Sequence, residues 1–357
     1  MAKKRSSASV RAIAEKAGLS LGAVSMAMRD DPSIPETTRN RVKAIAKELG
    51  YRRNARVSEL MALLKQQSLR NGQETLAFVI PVNRSKSGME QYIDTSLNHA
   101  KKRAEERGYS LEVFEMDEQG ITPHRLEKII EARGIRAAVF GPHRDVTGAV
   151  PINSSKLATV AIGYSVVEPP MHRVVINHYR NIHMAMAQLL ARGYERIGLL
   201  IEPESDARAR DLITAGFWDV GRRLPKSNRI EPYVGPPDQK AVDRWRSRTT
   251  PDAVIGCGAH WHKLLSAQGE LDPETLGYVY IDHFDREGFN VAGIQYQNGM
   301  LTEVAVDQVV AALQVNEFGV PKYPRTTTVP CAWVDGDSVR PLIREVQEPL
   351  FLVPTAE

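Results

Sequence analysis

At 357 residues, 42% of them hydrophobic, the chain is long for one compact domain and suits a small module attached to one or two larger ones with real apolar cores. The net charge of +4 is unevenly divided: residues 1–71 hold 15 Lys and Arg against six Asp and Glu, a surplus of +9, and the remainder carries −5. No run approaches membrane-spanning length and the first residues, MAKKRSSASVRAIAEKAG, lack the continuous apolar stretch of a signal peptide, so a cytoplasmic protein with no membrane partner is expected.

The basic segment reads as a module for a polyanion, most often nucleic acid. A solvated basic tail is the alternative, but Ile13, Leu19, Val24, Met28, Ile34, Val42, Ile45 and Leu49 supply the apolar skeleton of a small core. Three helices are expected. The first spans about 9–16, Gly18 gives a permissive turn, and Ser20 is a good N-cap for a second helix running to about Arg29. That is helix-turn-helix spacing. Ser33 and Glu36 have the spacing of a capping box, with Pro35 in the tolerant first turn of a third helix that Gly50 ends. Residues 54–64 suit a further short helix, and a polar linker follows.

From residue 76 the pattern changes. Strand-like runs at 76–82, 111–116, 137–142, 159–164, 174–177, 197–202, 253–258 and 278–282 alternate with amphipathic stretches such as 95–107, 123–133, 179–192 and 302–315. This alternation predicts an α/β protein with doubly wound parallel sheets, and so many strands suit two lobes better than one sheet. Binding sites in such folds lie at the carboxyl ends of strands, so a cleft between lobes is the expected ligand pocket. Cys257 and Cys331 fall in strand-like segments without the close partners of a metal knuckle or redox pair.

The run SVRAIAEKAGLSLGAVSMAMRDDPSIPETTRNRVKAIAKELGYRRNARVSEL resembles the DNA-binding headpiece of the lactose-repressor (LacI/GalR) family of bacterial transcription regulators. Ala14, Ala17-Gly18, Ser20, Val24-Ser25, Thr38-Arg39, Val42, Leu49-Gly50-Tyr51 and Leu60 stand in its register, and LLARGYERIGLL, TPDAVIG, YVYID and AWVDG extend a weaker likeness across 74–340. The resemblance implies a helix-turn-helix headpiece at 1–54, a hinge helix and linker at 55–73, and at 74–357 a two-lobed core like that of periplasmic binding proteins. It also implies a homodimer that binds a palindromic double-stranded operator, and a small-molecule effector, a sugar or derivative in many members, that alters DNA affinity. No cofactor, metal or catalytic activity is implied.

Carried over residue by residue, the DNA-contacting group is Ser9, Ser20, Ser25, Thr38 and Asn54 at phosphates and backbone, Leu21, Gly22 and Met26 toward the bases, Arg29 beside them, Leu60 as a minor-groove wedge, and Tyr51 and Ala55 as further DNA-binding positions. The sequence departs from the family where Met26 replaces a guanine-reading Arg and Arg53 replaces the Pro that starts the hinge. Leu21 and Met26 offer only apolar contacts, such as to thymine methyls, so direct readout is expected to be thin. Leu21 and Met26 as core, and Leu60 as the buried face of a linker helix, are the alternatives.

Position alone nominates Tyr92, His178, Arg210, His260, Trp261 and Gln297 as effector contacts. The polar residues with which the family holds sugars are replaced by Asn177-His178, Ile213 and Gly258-Ala259, which puts simple sugar recognition in doubt. His260-Trp261-His262 lacks supporting metal ligands, and Gly256-Cys257-Gly258 lacks the rest of a dinucleotide loop. Two other classes stay open: a small-molecule binding protein with a vestigial headpiece, and an enzyme of doubly wound fold with a basic appendage.

Overall fold

A computed structural model describes residues 10–28, 30–51, 73–81, 90–116, 121–143, 145–150, 152–153, 155–267, 271–283 and 290–346. In the N-terminal module, α1 (Val10–Ala17), α2 (Leu21–Ala27) and α3 (Glu36–Glu48) close around Ile13, Ala14, Ala17, Val24, Ala27, Val42 and Ala46. Gly18 turns the chain between the first two helices with φ +64°, a conformation that glycine enters without steric cost. Ser20 then caps α2, its hydroxyl accepting from the Ala23 amide at 3.1 Å. The expected capping box at α3 is absent. Pro35 is the N-cap, without a side-chain cap bond, because Asp31 captures Ser33: its Oδ1 accepts from the Ser33 amide at 3.0 Å and from the hydroxyl at 2.6 Å.

The remaining chain first builds β1 (Thr75–Ile80), α4 (Glu90–Glu106), β2 (Ser110–Glu115), α5 (Pro123–Ala132), β3 (Ala137–Phe140), β4 (Gly148–Ala149), β5 (Ala158–Ile162), β6 (Val166–Glu168) and β7 (His172–Ile176). It crosses to a second lobe made of α6 (His178–Ala191), β8 (Ile197–Ile201), α7 (Pro203–Arg208), α8 (Leu212–Gly221), β9 (Tyr233–Val234), α9 (Gln239–Thr249), β10 (Ala253–Cys257), α10 (Ala259–Leu265), β11 (Gly277–His283) and β12 (Gly293–Gln295). It returns to the first lobe for α11 (Asn298–Val315) and β13 (Thr326–Val329), then crosses again for β14 (Ala332–Val334).

The first sheet is all-parallel in the order β13-β7-β5-β3-β1-β2; the second runs β14-β12-β11-β10-β8-β9, with β14 antiparallel to β12. Helices cover both faces, which is why the strands are apolar throughout. Along β1, Leu76, Phe78 and Ile80 pack beneath α4 and α11, while Ala77 and Val79 belong to the opposite core with Leu126 and Ile130 of α5. In the second lobe Leu199, Ile255, Val279 and Ile281 join the core under α6 and α8, and Leu200, Val254 and Tyr278 the one under α9 and α10.

All eight strands expected from the sequence form, with boundaries moved by a residue or two. Cys331 lies between β13 and β14 rather than within a strand. Among the described residues no helix is long and apolar enough to cross a membrane.

Candidate DNA interface and inter-lobe cleft

Burying Val24 and Ala27 turns the other side of α2 outward. Leu21 is 54% exposed, Gly22 is exposed, and Ser25 and Met26 are partly exposed. Leu21 is therefore not a core residue. Met26 is half-turned toward the next segment, with the Ser33 hydroxyl 4.0 Å from its sulfur. Thr38 is partly exposed on α3, and Tyr51 packs against the edge of the small core. Ser9, Arg29, Asn54, Ala55 and Leu60 lie outside the described residues. Two cations outside the expected DNA-contacting group brace the turn after α2: the Arg39 guanidinium donates to the Asp30 carbonyl at 2.9 Å, and the Lys43 ammonium meets the Asp30 carboxylate. Nothing in their spacing distinguishes them from other basic residues of α3.

Three connections join the lobes, and they lie together. The Asn177 amide donates to the Val329 carbonyl at 3.3 Å, the His178 ring nitrogen Nδ1 is 3.1 Å from the Tyr296 hydroxyl, and the Asn181 amide group donates to the Cys331 sulfur at 3.2 Å. Tyr296 and Cys331 pack against the cores of both lobes. Burial pushes the His178 pKa down to about 4, so the imidazole is neutral near pH 7. Gln297 sits at the same place, its carbonyl accepting from the Leu301 amide to begin α11.

The lobes also touch at the carboxyl ends of their strands. The Arg208 guanidinium donates to the His143 carbonyl, just beyond β3, at 3.2 Å, and the Arg210 guanidinium to the Tyr164 carbonyl, just beyond β5, at 3.3 Å. From its own lobe Arg173 donates to the Gly163 and Val166 carbonyls of that second loop, at 3.1 and 3.2 Å. Burial, and then the nearby Arg210 cation, lower the Arg173 pKa. Arg210 and Asp211 both hold left-handed backbone, at φ +59° and +58°. Buried Asp206 supports that costly pair, its carbonyl accepting from the Asp211 amide and its carboxylate from the Thr214 amide and hydroxyl.

On the second lobe His260 begins α10 with its Nε2 3.9 Å from the Glu202 carboxylate, which follows β8. Trp261 is a correction to the expected contact set. Its side chain is 0% exposed and belongs to the core with Leu200, Val254 and Tyr278, because one residue along a helix turns a side chain by roughly 100° and His260 already faces out. On the first lobe a small hollow, partly open to solvent, lies beneath α4 at the carboxyl ends of β1 and β5, and Tyr92 lines it. The other nominated residues are distributed: His178 and Gln297 at the crossovers, Arg210 at the lobe contact, His260 on the second lobe. Arg173, Arg208 and Ser96 of the hollow were not legible, since an isolated Arg or a helical Ser carries no motif. Among the described residues no group of three or more His, Cys, Asp or Glu is placed to hold a metal ion.

Residues 9–54 match the family model described as bacterial regulatory proteins, lacI family. No curated protein sequence matches the chain. Among solved structures, the lac repressor dimer bound to operator and the anti-inducer ONPF is similar at 16% identity and TM-score 0.55, over 94% of this chain and 100% of that one. A complex of the transcriptional regulator CelR with cellobiose is similar at 16% identity and TM-score 0.52, over 93% and 99% of the two chains. A LacI-family transcriptional regulator from Silicibacter pomeroyi is similar at 19% identity and TM-score 0.51, over 94% and 100%. At these identities the likeness establishes the fold: a LacI-type helix-turn-helix module followed by the α/β parallel-sheet core of these repressors.

Proposed function

We propose that this protein, whose N-terminal module carries the LacI-family signature and whose core has the LacI-repressor fold, is a transcriptional regulator. Its affinity for a palindromic operator is set by a small molecule held between the two lobes of a homodimer. The observation that carries this reading is the family match over 9–54 joined to a core whose lobes are linked by three adjacent crossovers.

The mechanism follows from the parts. The exposed face of α2 enters the major groove, with Leu21, Gly22 and Met26 toward base edges and Ser20, Ser25 and Thr38 toward phosphates. One such module makes few contacts, so the core holds two copies at half-site spacing to raise affinity. The segment after Tyr51, with Asn54-Ala55 and the Leu60 wedge, joins module to core. A ligand that closes the cleft rotates one lobe on the other about Asn177, Tyr296 and Pro330, which moves the points where the two connecting segments leave the dimer. Linkage then requires operator to alter ligand affinity by the same factor as ligand alters operator affinity.

The test is a pair of titrations on the intact chain: ligand recovered by native purification, with and without operator, and operator with and without ligand. Reciprocal shifts of about 5- to 150-fold support the regulator. Ligand binding indifferent to DNA, with no sequence-selective DNA binding, favours a binding protein with a vestigial headpiece, a reading favoured by the absence of hydrogen-bonding side chains at Leu21, Gly22 and Met26.

A further inference from the structure

The loop that follows β5 receives cations from both lobes. Arg173 of the first lobe donates to the Gly163 and Val166 carbonyls, and Arg210 of the second donates to the Tyr164 carbonyl between them. Two like charges therefore stand on one short stretch of backbone. Among the described residues neither guanidinium meets a carboxylate, whereas Arg103, Arg192 and Arg223 pair with Asp307, Asp335 and Asp219. Arg196 shows that carbonyls alone can seat one arginine. What sets the cleft apart is a second cation brought to the same loop from the opposite lobe.

The two charges reach each other and the phenol beside them. Burial first, and then the Arg210 cation, lower the Arg173 pKa. Burial raises the Tyr164 pKa while the Arg173 and Arg210 charges oppose it, so the hydroxyl is protonated near pH 7 and can donate. Donors are to spare, because the bonds above occupy two on Arg173 and one on Arg210, whose side chain is exposed to solutes. The position of Arg210 is held by left-handed backbone at φ +59° that buried Asp206 supports.

Closing the cleft brings Arg173 and Arg210 together. Their repulsion opposes closure while the carbonyl bonds favour it, and an anion between them turns the repulsion into attraction from both sides. Donors arriving from two arginines and a phenol ask for three acceptor oxygens, which a phosphate group has and a carboxylate lacks. A neutral polyol gains nothing from the charges, and Ile213, where the family uses a polar side chain on sugars, is buried in the second-lobe core.

We propose that the inter-lobe cleft holds a phosphate group, of a phosphomonoester or of inorganic phosphate, between Arg173 and Arg210, with the Tyr164 hydroxyl donating to it. The proposal rests on the effector reading of the cleft for its regulatory meaning, and the anion site is tested without DNA.

The full chain is titrated by calorimetry at constant ionic strength with inorganic phosphate, glycerol 2-phosphate, acetate and glycerol, and the series is repeated on Arg173→Gln, Arg210→Gln, Arg210→Lys and Arg248→Gln. The expected result is millimolar or tighter binding of at least one phosphate compound, acetate about fivefold weaker or more, and no heat from glycerol. The tighter phosphate compound tells monoester from inorganic phosphate. Arg173→Gln and Arg210→Gln each weaken it about tenfold or more, and Arg210→Lys recovers part of the loss because the charge survives and the fork does not. Arg248→Gln, which removes an exposed charge of α9, changes nothing. Should Arg173→Gln not fold, exposed Arg210 decides. Absence of phosphate binding, tighter binding of acetate, or loss as large in Arg248→Gln as in Arg210→Gln overturns the proposal. Operator titrations keep the two readings apart. A phosphate-free ligand from native purification that shifts operator affinity, with no phosphate binding, sinks the anion site and leaves the regulator standing. Arg210-dependent phosphate binding with operator affinity unmoved upholds the site and counts against regulation through it.

Discussion

His178 Nδ1 and the Tyr296 hydroxyl meet at 3.1 Å and join the first two of the three connections between the lobes. The contact ties the start of α6 to the residue before the chain returns to the first lobe, so a rotation of one lobe on the other acts on this pair.

The burial that holds the His178 pKa near 4 gives it a pH signature. An unfolded histidine titrates near 6.5, so between about pH 6.5 and 4 the unfolded chain binds the extra proton and stability falls as pH falls; below 4 both states are protonated and this contribution is fully lost. The shift corresponds to roughly 3 kcal/mol at most. Denaturant melts from pH 7 to 4 on the wild type and His178→Gln should show a shallower decline in the variant across that window. Identical slopes would mean that His178 is not buried in the native state.

Exposed Leu21 and half-exposed Met26 predict a code poor in hydrogen bonds. Met26→Arg should introduce a guanine preference of about 1–3 kcal/mol at one symmetric position of each half-site. Selection of binding sequences by wild type and variant reads this directly, and an unchanged preferred site would show that Met26 does not face the bases.

The Arg208 and Arg210 bonds to the His143 and Tyr164 carbonyls hold the lobes together at the cleft rim. Replacing both by Ala should raise the open population about fivefold or more, taking about 1 kcal/mol for the pair. Solution scattering would register a larger radius of gyration in the double variant. No change would place closure elsewhere, in the crossovers themselves.

Gly277 begins β11 against the ring of Tyr194, and a Cβ there would lie 2.4 Å from ring and hydroxyl atoms. Tyr194 cannot retreat easily: its hydroxyl donates to the Pro273 carbonyl at 2.8 Å and accepts from the Arg340 amide at 2.9 Å. Gly277→Ala should cost about 1–3 kcal/mol, seen as a lower denaturation midpoint with DNA contacts of the headpiece unaffected. A midpoint equal to wild type would show that the ring can move.

How much of this was legible follows from burial. Strands such as β1, β5 and β10 are covered on both faces, and TLAFVI, ATVAI and AVIGC announce themselves as unbroken apolar runs. The edge strands β13, with TTTV, and β14, with AWV, are largely exposed, and runs of three or four residues are too short to show a period. The capping box failed because Ser33 had a competitor two residues upstream in Asp31, which spacing alone does not reveal. In the cleft, position nominated Tyr92, His178, Arg210, His260, Trp261 and Gln297 alike, but position does not tell which way a helix turns, and Trp261 faces the core. Arg173 and Arg208 stayed hidden because their carbonyl partners are backbone groups, which every sequence has.

The threefold crossing between lobes has a consequence for how the protein is made. The first sheet starts at Thr75, yet α11, whose Leu301, Ala305 and Val309 fill its core, is not complete until Val315, and its edge strand β13 not until Val329. Roughly 140 residues, the second lobe bar β14 together with α11 itself, must leave the ribosome between Ile176 and Val315, which at ordinary synthesis rates takes about 7–28 s. During that interval Leu76, Phe78 and Ile162 lack part of their cover while a complete α6 to β12 unit folds beside them. Translation therefore delivers the second lobe, which needs only β14 to finish, before the first lobe that precedes it in the gene.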